Sequence, residues 1–124
     1  MFTISKQFTF SASHVLSHLP EDHPCARMHG HNYVVELVFK SPCLDARGFC
    51  QVDYGELAAF EAWLLATVDH RHLNAVMGEV YPTAELLAKF FFKKAREVLA
   101  GDVGAYLTSV RVSETPRTWA AYES

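Results

Sequence analysis

Phe2-Thr3-Ile4-Ser5-Lys6-Gln7-Phe8-Thr9-Phe10-Ser11 alternates between apolar and polar side chains with a single break. Phe2, Ile4, Phe8 and Phe10 fall on one face, with Lys6 the exception, and Thr3, Ser5, Gln7, Thr9 and Ser11 fall on the other. Successive strand side chains point to opposite faces, so this is a half-buried antiparallel strand. It needs a neighbouring strand to pair with and an apolar layer to cover its inner face.

Residues 15–27 carry Pro20, Pro24 and mixed charges and form a loop. Residues 29–40 form a second strand, rich in residues that suit a pleated surface, such as Val34, Val35, Val38 and Phe39. Residues 41–48, with Pro42, Asp45 and Gly48, form a turn region, and the short run Phe49–Val52 reads as a third strand. Asp53 followed by Glu56 is a helix start, since the two carboxylates can bond free amides of a first turn. Leu57, Phe60, Leu64 and Val68 then recur at helical spacing. After an irregular segment at 69–81, Pro82 and Thr83 open a second helix. Its apolar face is Leu86, Leu87, Phe90, Phe91 and Val98, and Gly101 and Gly104 end it. Residues 105–115 form a last strand, with Tyr106, Val110, Val112 and Glu114 along one face. The order β-β-β-α-α-β has no βαβ alternation. It predicts an α+β fold, a four-stranded antiparallel sheet with two helices packed on one face.

At 124 residues, one domain spanning residues 1–124 is expected, and a hydrophobic content of 50% is enough for a real core. A net charge of −3 is no footprint for nucleic acid or an anionic membrane. No apolar run is long enough for a membrane span, and Met1–Lys6 lacks the layout of a secretion signal. Cys25, Cys43 and Cys50 are odd in number and form no CxxC pair, so a reduced, cytoplasmic setting is expected.

Of the 7 histidines, those between residues 14 and 31 concentrate the chemistry. In a strand, His29 and His31 point to the same face, about 6.6 Å apart along the chain. His14 ends the first strand and, if the first two strands pair, adds a third imidazole. Three neutral imidazoles with a fourth position open are a catalytic zinc pattern, in which the ion keeps its full charge and acidifies a nearby hydroxyl. A rival arrangement adds Cys25 to the three histidines and closes the site as a structural one. His18, His23 and His72 read as solvated surface groups. Cys25 has the placement of an acid–base thiol. Asp69 can fix the tautomer of His70. Glu114, on an otherwise apolar face, needs a partner and suits a ligand edge with two parallel donors.

Phe10-Ser11-Ala12-Ser13-His14, Cys25-x3-His29-Gly30-His31-Asn32-Tyr33, Asp69-His70-x2-Leu73-Asn74, Pro82-Thr83-Ala84-Glu85 and Ser113-Glu114-Thr115 occur in that order. Together they resemble the 6-pyruvoyltetrahydropterin synthase family, and within it the bacterial 6-carboxytetrahydropterin synthases of the queuosine pathway, a 7-deazapurine route. The resemblance implies the tunnelling fold and a hexamer built as a dimer of trimers. It makes His14, His29 and His31 zinc ligands, Cys25 the proton-transferring thiol, and Asp69 and His70 a relay from a neighbouring subunit. It makes Glu114 the anchor of a pterin substrate, with Thr83 as helper. The implied reaction is cleavage of 7,8-dihydroneopterin triphosphate to 6-carboxytetrahydropterin with loss of acetaldehyde and triphosphate. The alternatives are pyruvoyl-type elimination of triphosphate and a non-catalytic domain with a closed zinc site. The chain departs from the family pattern at Val15, where Arg is more frequent, at Val68 and Ala84, and in a segment 48–54 that looks one residue longer.

Overall fold

A computed structural model describes residues 1–124. Strands β1 (Phe2–His14) and β2 (His29–Ser41) pair antiparallel along their whole length, from Phe2 opposite Ser41 to His14 opposite His29. Strand β3 (Arg71–His72) lies parallel to β1 on its outer side, and β4 (Leu107–Thr115) and β5 (Thr118–Glu123) extend the sheet beyond β2. The spatial order is β3-β1-β2-β4-β5. Helices α1 (Ala58–Thr67), α2 (Leu73–Met77), α3 (Ala84–Val98) and α4 (Gly101–Gly104) complete the molecule. None of them is long and apolar enough to cross a membrane.

The α+β architecture holds, but the expected four-stranded antiparallel sheet with two helices is corrected to a five-stranded mixed sheet with four helices. Phe49–Val52 forms no strand: Gln51 takes φ 62°, which turns the chain out of any extended ladder. The strand on the outer side of β4 comes instead from Thr118–Glu123, a mostly exposed edge segment without the alternation of a half-buried strand. The irregular segment 69–81 contains β3 and α2. Gly101 and Gly104 do not end the long helix, which stops at Val98; they bound a short helix of their own.

The helix starts are where side-chain chemistry places them. Asp53 and Glu56 form both bonds of a capping box, opening a 3₁₀ turn (Tyr54–Leu57) that runs into α1. The Thr83 hydroxyl accepts from Leu86 N at 3.2 Å and starts α3. On α3 the buried residues are Leu87, Ala88, Phe91, Phe92 and Ala95, so the buried stripe is rotated from the expected one and Leu86 is exposed.

One hydrophobic cluster fills the space between sheet and helices. It joins Phe8, Phe10, Tyr33, Val35, Leu37 and Phe39 of the two long strands to Phe60, Leu64, Leu87 and Phe91. Phe10 stacks on Tyr33 at 4.8 Å and meets the edge of Phe91 at 5.5 Å. The other sheet face is polar: Arg111 Nη1 donates to Glu36 Oε1 at 2.8 Å, and Ser5 and Gln7 donate to its second oxygen. Strand register decides which side chains turn toward the helices. Since Phe8, Phe10 and Ala12 face them, so does His14, and opposite them Tyr33, His31 and His29 share that face. The histidines therefore sit at the end of the core.

Candidate metal centre

His14, His29 and His31 come together, and their ligand nitrogens all lie within 4.8 Å of one another. The Nε2 atoms of His14 and His29 are 2.9 Å apart. His14 Nδ1 donates to the carbonyl of Pro82 and His29 Nδ1 to that of Arg27, each at 2.8 Å. A carbonyl can only accept, so both rings carry their proton on Nδ1 and turn a bare Nε2 lone pair toward the other. Two lone pairs at that distance repel unless a cation lies between them. His31 Nε2 is buried and has no hydrogen-bond partner, which a folded protein rarely tolerates. Burial pushes the pKa of His14 and of His31 below the ordinary value, against the smaller opposing influences of the Pro82 carbonyl on His14 and of the Glu114 charge on both. Burial thus favours the neutral rings of His14 and His31, the state in which imidazole binds metals. The residues present fit a divalent ion, and the carbonyls behind His14 and His29 are the outer hydrogen bonds that orient metal-binding imidazoles. Gly30 sits between the two β2 histidines where a Cβ would come within 3.4 Å of the Ala12 carbonyl.

Cys25 is not part of the converging group, which is made of histidines only. It lies half-buried in a 3₁₀ turn (Pro24–Ala26) of the β1–β2 loop. Its N–H donates to His23 Nδ1 at 3.0 Å and its carbonyl accepts from Leu16 N at 2.9 Å. All three cysteines are free.

Glu114 lies on the helix-facing side of β4. Its Oε2 is 3.7 Å from His31 Nε2. It borders a hollow of about 290 Å³ together with Ala84 and Glu85 of α3 and Val112, Thr118, Trp119 and Ala120. Thr83 precedes this helix end, its hydroxyl oxygen occupied in capping. That leaves its hydroxyl proton free to donate.

Asp69 and His70 do pair: Asp69 Oδ2 and His70 Nδ1 are 2.8 Å apart, and Asp69 Oδ1 accepts from Ser11 N at 2.9 Å. The Ser11 amide first, and the His70 ring second, hold the Asp69 carboxyl below the usual range. His70 has φ 60°, donates its N–H to the Ser11 carbonyl and leaves its ring largely exposed. Neither residue joins the histidine group; they sit at the β1 edge, where His70 borders a polar hollow of about 460 Å³ together with Ser11, Ser13, His31, Asn32 and His72.

His18 and His23 are exposed, as expected, although His18 stacks on Tyr81 at 3.9 Å and His23 caps the turn of Cys25. His72 is half-buried, its Nδ1 2.9 Å from Ser13 Oγ. Tyr33 is a site neighbour that sequence reasoning passed over. Its ring lies 5.4 Å from that of His31 and 6.1 Å from that of His14, and its hydroxyl is buried without a partner. Burial, then the Glu114 charge, pushes that phenol far above its ordinary pKa. The i+2 step from His31 was the available signal. The Pro82 and Arg27 carbonyls had none, because backbone acceptors carry no sequence mark.

A model of the 6-pyruvoyl tetrahydropterin synthase family matches residues 3–124. A 6-carboxy-5,6,7,8-tetrahydropterin synthase of Synechocystis is 35% identical over 128 residues, covering 100% of this chain and 95% of the relative. The enzyme of the same name from Haemophilus influenzae is 25% identical, covering 99% of each. The solved structure of 6-pyruvoyl tetrahydropterin synthase from Caenorhabditis elegans matches with a TM-score of 0.86 and 27% identity, covering 99% of this chain and 95% of that one.

Proposed function

The chain belongs to the 6-pyruvoyl tetrahydropterin synthase family, and from that premise we propose that this pterin-processing enzyme is a zinc-dependent carbon–carbon lyase. Its substrates are 7,8-dihydroneopterin triphosphate and water, and its products are 6-carboxytetrahydropterin, acetaldehyde and triphosphate. The observation that carries the reading is the convergence of three imidazoles beside a carboxylate: the bare Nε2 atoms of His14 and His29 meet the unpartnered Nε2 of His31, which is 3.7 Å from Glu114 Oε2. A dication and a pterin edge can be held next to each other there.

His14, His29 and His31 would hold the zinc, which supplies Lewis acidity toward the hydroxyls of the substrate side chain. The Glu114 carboxylate accepts from the amino group and ring N–H of the pterin, and Thr83 donates its free hydroxyl proton to the ring. Cys25, four residues before His29, exchanges a proton with the side-chain carbons. Asp69 keeps the Nδ1 proton on His70, so His70 Nε2 is the basic atom of the relay. That atom belongs to an exposed ring at the sheet edge, outside the histidine group, which supports its acting in the site of a neighbouring copy.

The assembly proposed is a homo-oligomer, a hexamer of two trimers. Both outer edges of the sheet offer unpaired backbone: β1 has partners on its outer side only near its His14 end, from Ser11 to Ser13, and β5 is an edge strand. Three free thiols suit a reducing, cytoplasmic compartment, and the 7-deazapurine route to queuosine is the pathway proposed.

The Synechocystis and Haemophilus names favour the carboxy product, whereas the Caenorhabditis structure favours pyruvoyl-type elimination without carbon loss. Incubating the zinc-loaded protein with 7,8-dihydroneopterin triphosphate and weighing the products decides. Acetaldehyde and 6-carboxytetrahydropterin are expected; a pterin retaining all its side-chain carbons would overturn the lyase assignment.

A further inference from the structure

The side chain of Asn74 grips both backbone groups of one residue. Val15 N donates to Asn74 Oδ1 and Asn74 Nδ2 donates to Val15 O, each at 2.9 Å across 59 residues of sequence. A primary amide presents the same donor–acceptor edge as a peptide unit. Asn74 therefore adds a rung to the parallel β1–β3 ladder, after the pairs Ala12–Arg71 and Ser13–His72. The main chain cannot supply that rung, because at Leu73 it turns into α2. Without it, two partly buried peptide groups of Val15 would lose their partners.

Val15 joins His14 to the loop that carries Cys25, and the next residue, Leu16, donates its N–H to the Cys25 carbonyl at 2.9 Å. The path from Asn74 to the backbone of Cys25 is thus two hydrogen-bonded steps, Asn74 to Val15 and Leu16 to the Cys25 carbonyl. The loop is also tied by the stacking of His18 on Tyr81, next in sequence to Pro82, whose carbonyl holds His14.

We propose that Asn74 is a positioning residue for Cys25: its amide fixes the backbone after His14 and so sets where the thiol stands relative to the histidine centre. The proposal rests on the lyase reading for its kinetic consequence, but the geometry of the thiol can be measured apart from turnover.

The test uses the zinc-loaded protein and the variants Asn74→Ala and Asn74→Asp. The Asp variant keeps the size and the acceptor for Val15 N but sets an oxygen against Val15 O, so it should behave like the Ala variant and serves if that one fails to fold. Expected are unchanged metal content, kcat lowered about tenfold or more with KM within about threefold, and an alkylation rate of Cys25 by iodoacetamide, read by peptide mass mapping, changed several-fold. In a double-mutant cycle, Asn74→Ala should cost the Cys25→Ala protein almost nothing, because the group it positions is already gone. Wild-type kcat and alkylation rate in both variants would overturn the proposal, as would an equal fractional loss with and without Cys25. If the wild-type protein does not act on the pterin, the lyase reading has failed, and the alkylation rates alone decide on Asn74.

Discussion

His14 and His29 face each other through Nε2 atoms 2.9 Å apart, while the Nδ1 of each is committed to a backbone carbonyl. The two outer bonds fix both tautomers and leave no proton for the inner gap. Substituting a single ring, His29→Ala or His31→Ala, should therefore reduce metal content from one ion per chain to near none at micromolar zinc. Titrating zinc into the metal-free protein should raise its melting temperature, since binding to the folded state alone adds about 2.7 kcal/mol at a hundredfold excess over Kd. Elemental analysis and thermal melts check both. Full metal content in either variant would remove the ligand assignment.

Cys25 lies outside the converging group, so Cys25→Ala should keep its metal and its fold. Turnover should fall by about 10²–10⁴-fold, the usual contribution of a general acid or base. Loss of metal together with the thiol would instead identify the closed structural site.

Glu114→Gln preserves size but places an amide where paired donors are expected to dock. Charge-assisted hydrogen bonds contribute roughly 1.5–3 kcal/mol each, so pterin affinity should drop by about tenfold or more while metal content stays normal. Calorimetry with a pterin analogue on the zinc-loaded variant reads this directly; equal affinity would make Glu114 an ordinary strand-end carboxylate.

The proposed action of His70 in the site of a neighbouring copy is tested by mixing variants. Cys25→Ala and His70→Ala are each expected to be nearly inactive. Refolded together, they should regain activity, because a mixed oligomer contains sites with an intact Cys25 from one copy and an intact His70 from another. No recovery on mixing would confine both groups to one chain.

Asp69 gives the pH dependence a sign. The Ser11 amide and the His70 ring lower its folded pKa below the unfolded value near 3.9. Its contribution to stability is thus fully present above about pH 4 and is lost as pH falls through the depressed folded pKa. Asp69→Asn should flatten the acid limb of a stability–pH curve measured by denaturant melts. An unchanged limb would show that acid unfolding is governed elsewhere.

Alternation in residues 2–11 and the i, i+2 spacing of His29 and His31 were enough to place the long hairpin and to put two imidazoles on one face, because side-chain direction along a strand depends only on the parity of position. Helix starts at Asp53 and Thr83 were equally legible, since a cap is a contact between residues two or three apart. What the sequence did not contain was any contact made by a lone backbone group or by an edge. Strand β5 is mostly exposed and leaves little hydrophobic pattern; β3 consists of two residues whose pairing exists only because β1 lies beside them. The Pro82 carbonyl behind His14, 68 residues away, and the Asn74 amide on Val15, 59 residues away, arise from chain crossings. Local spacing determines which side chains share a face. Only the tertiary fold decides which distant carbonyl or amide satisfies them, and those distant partners set the tautomer of His14 and the backbone path toward Cys25.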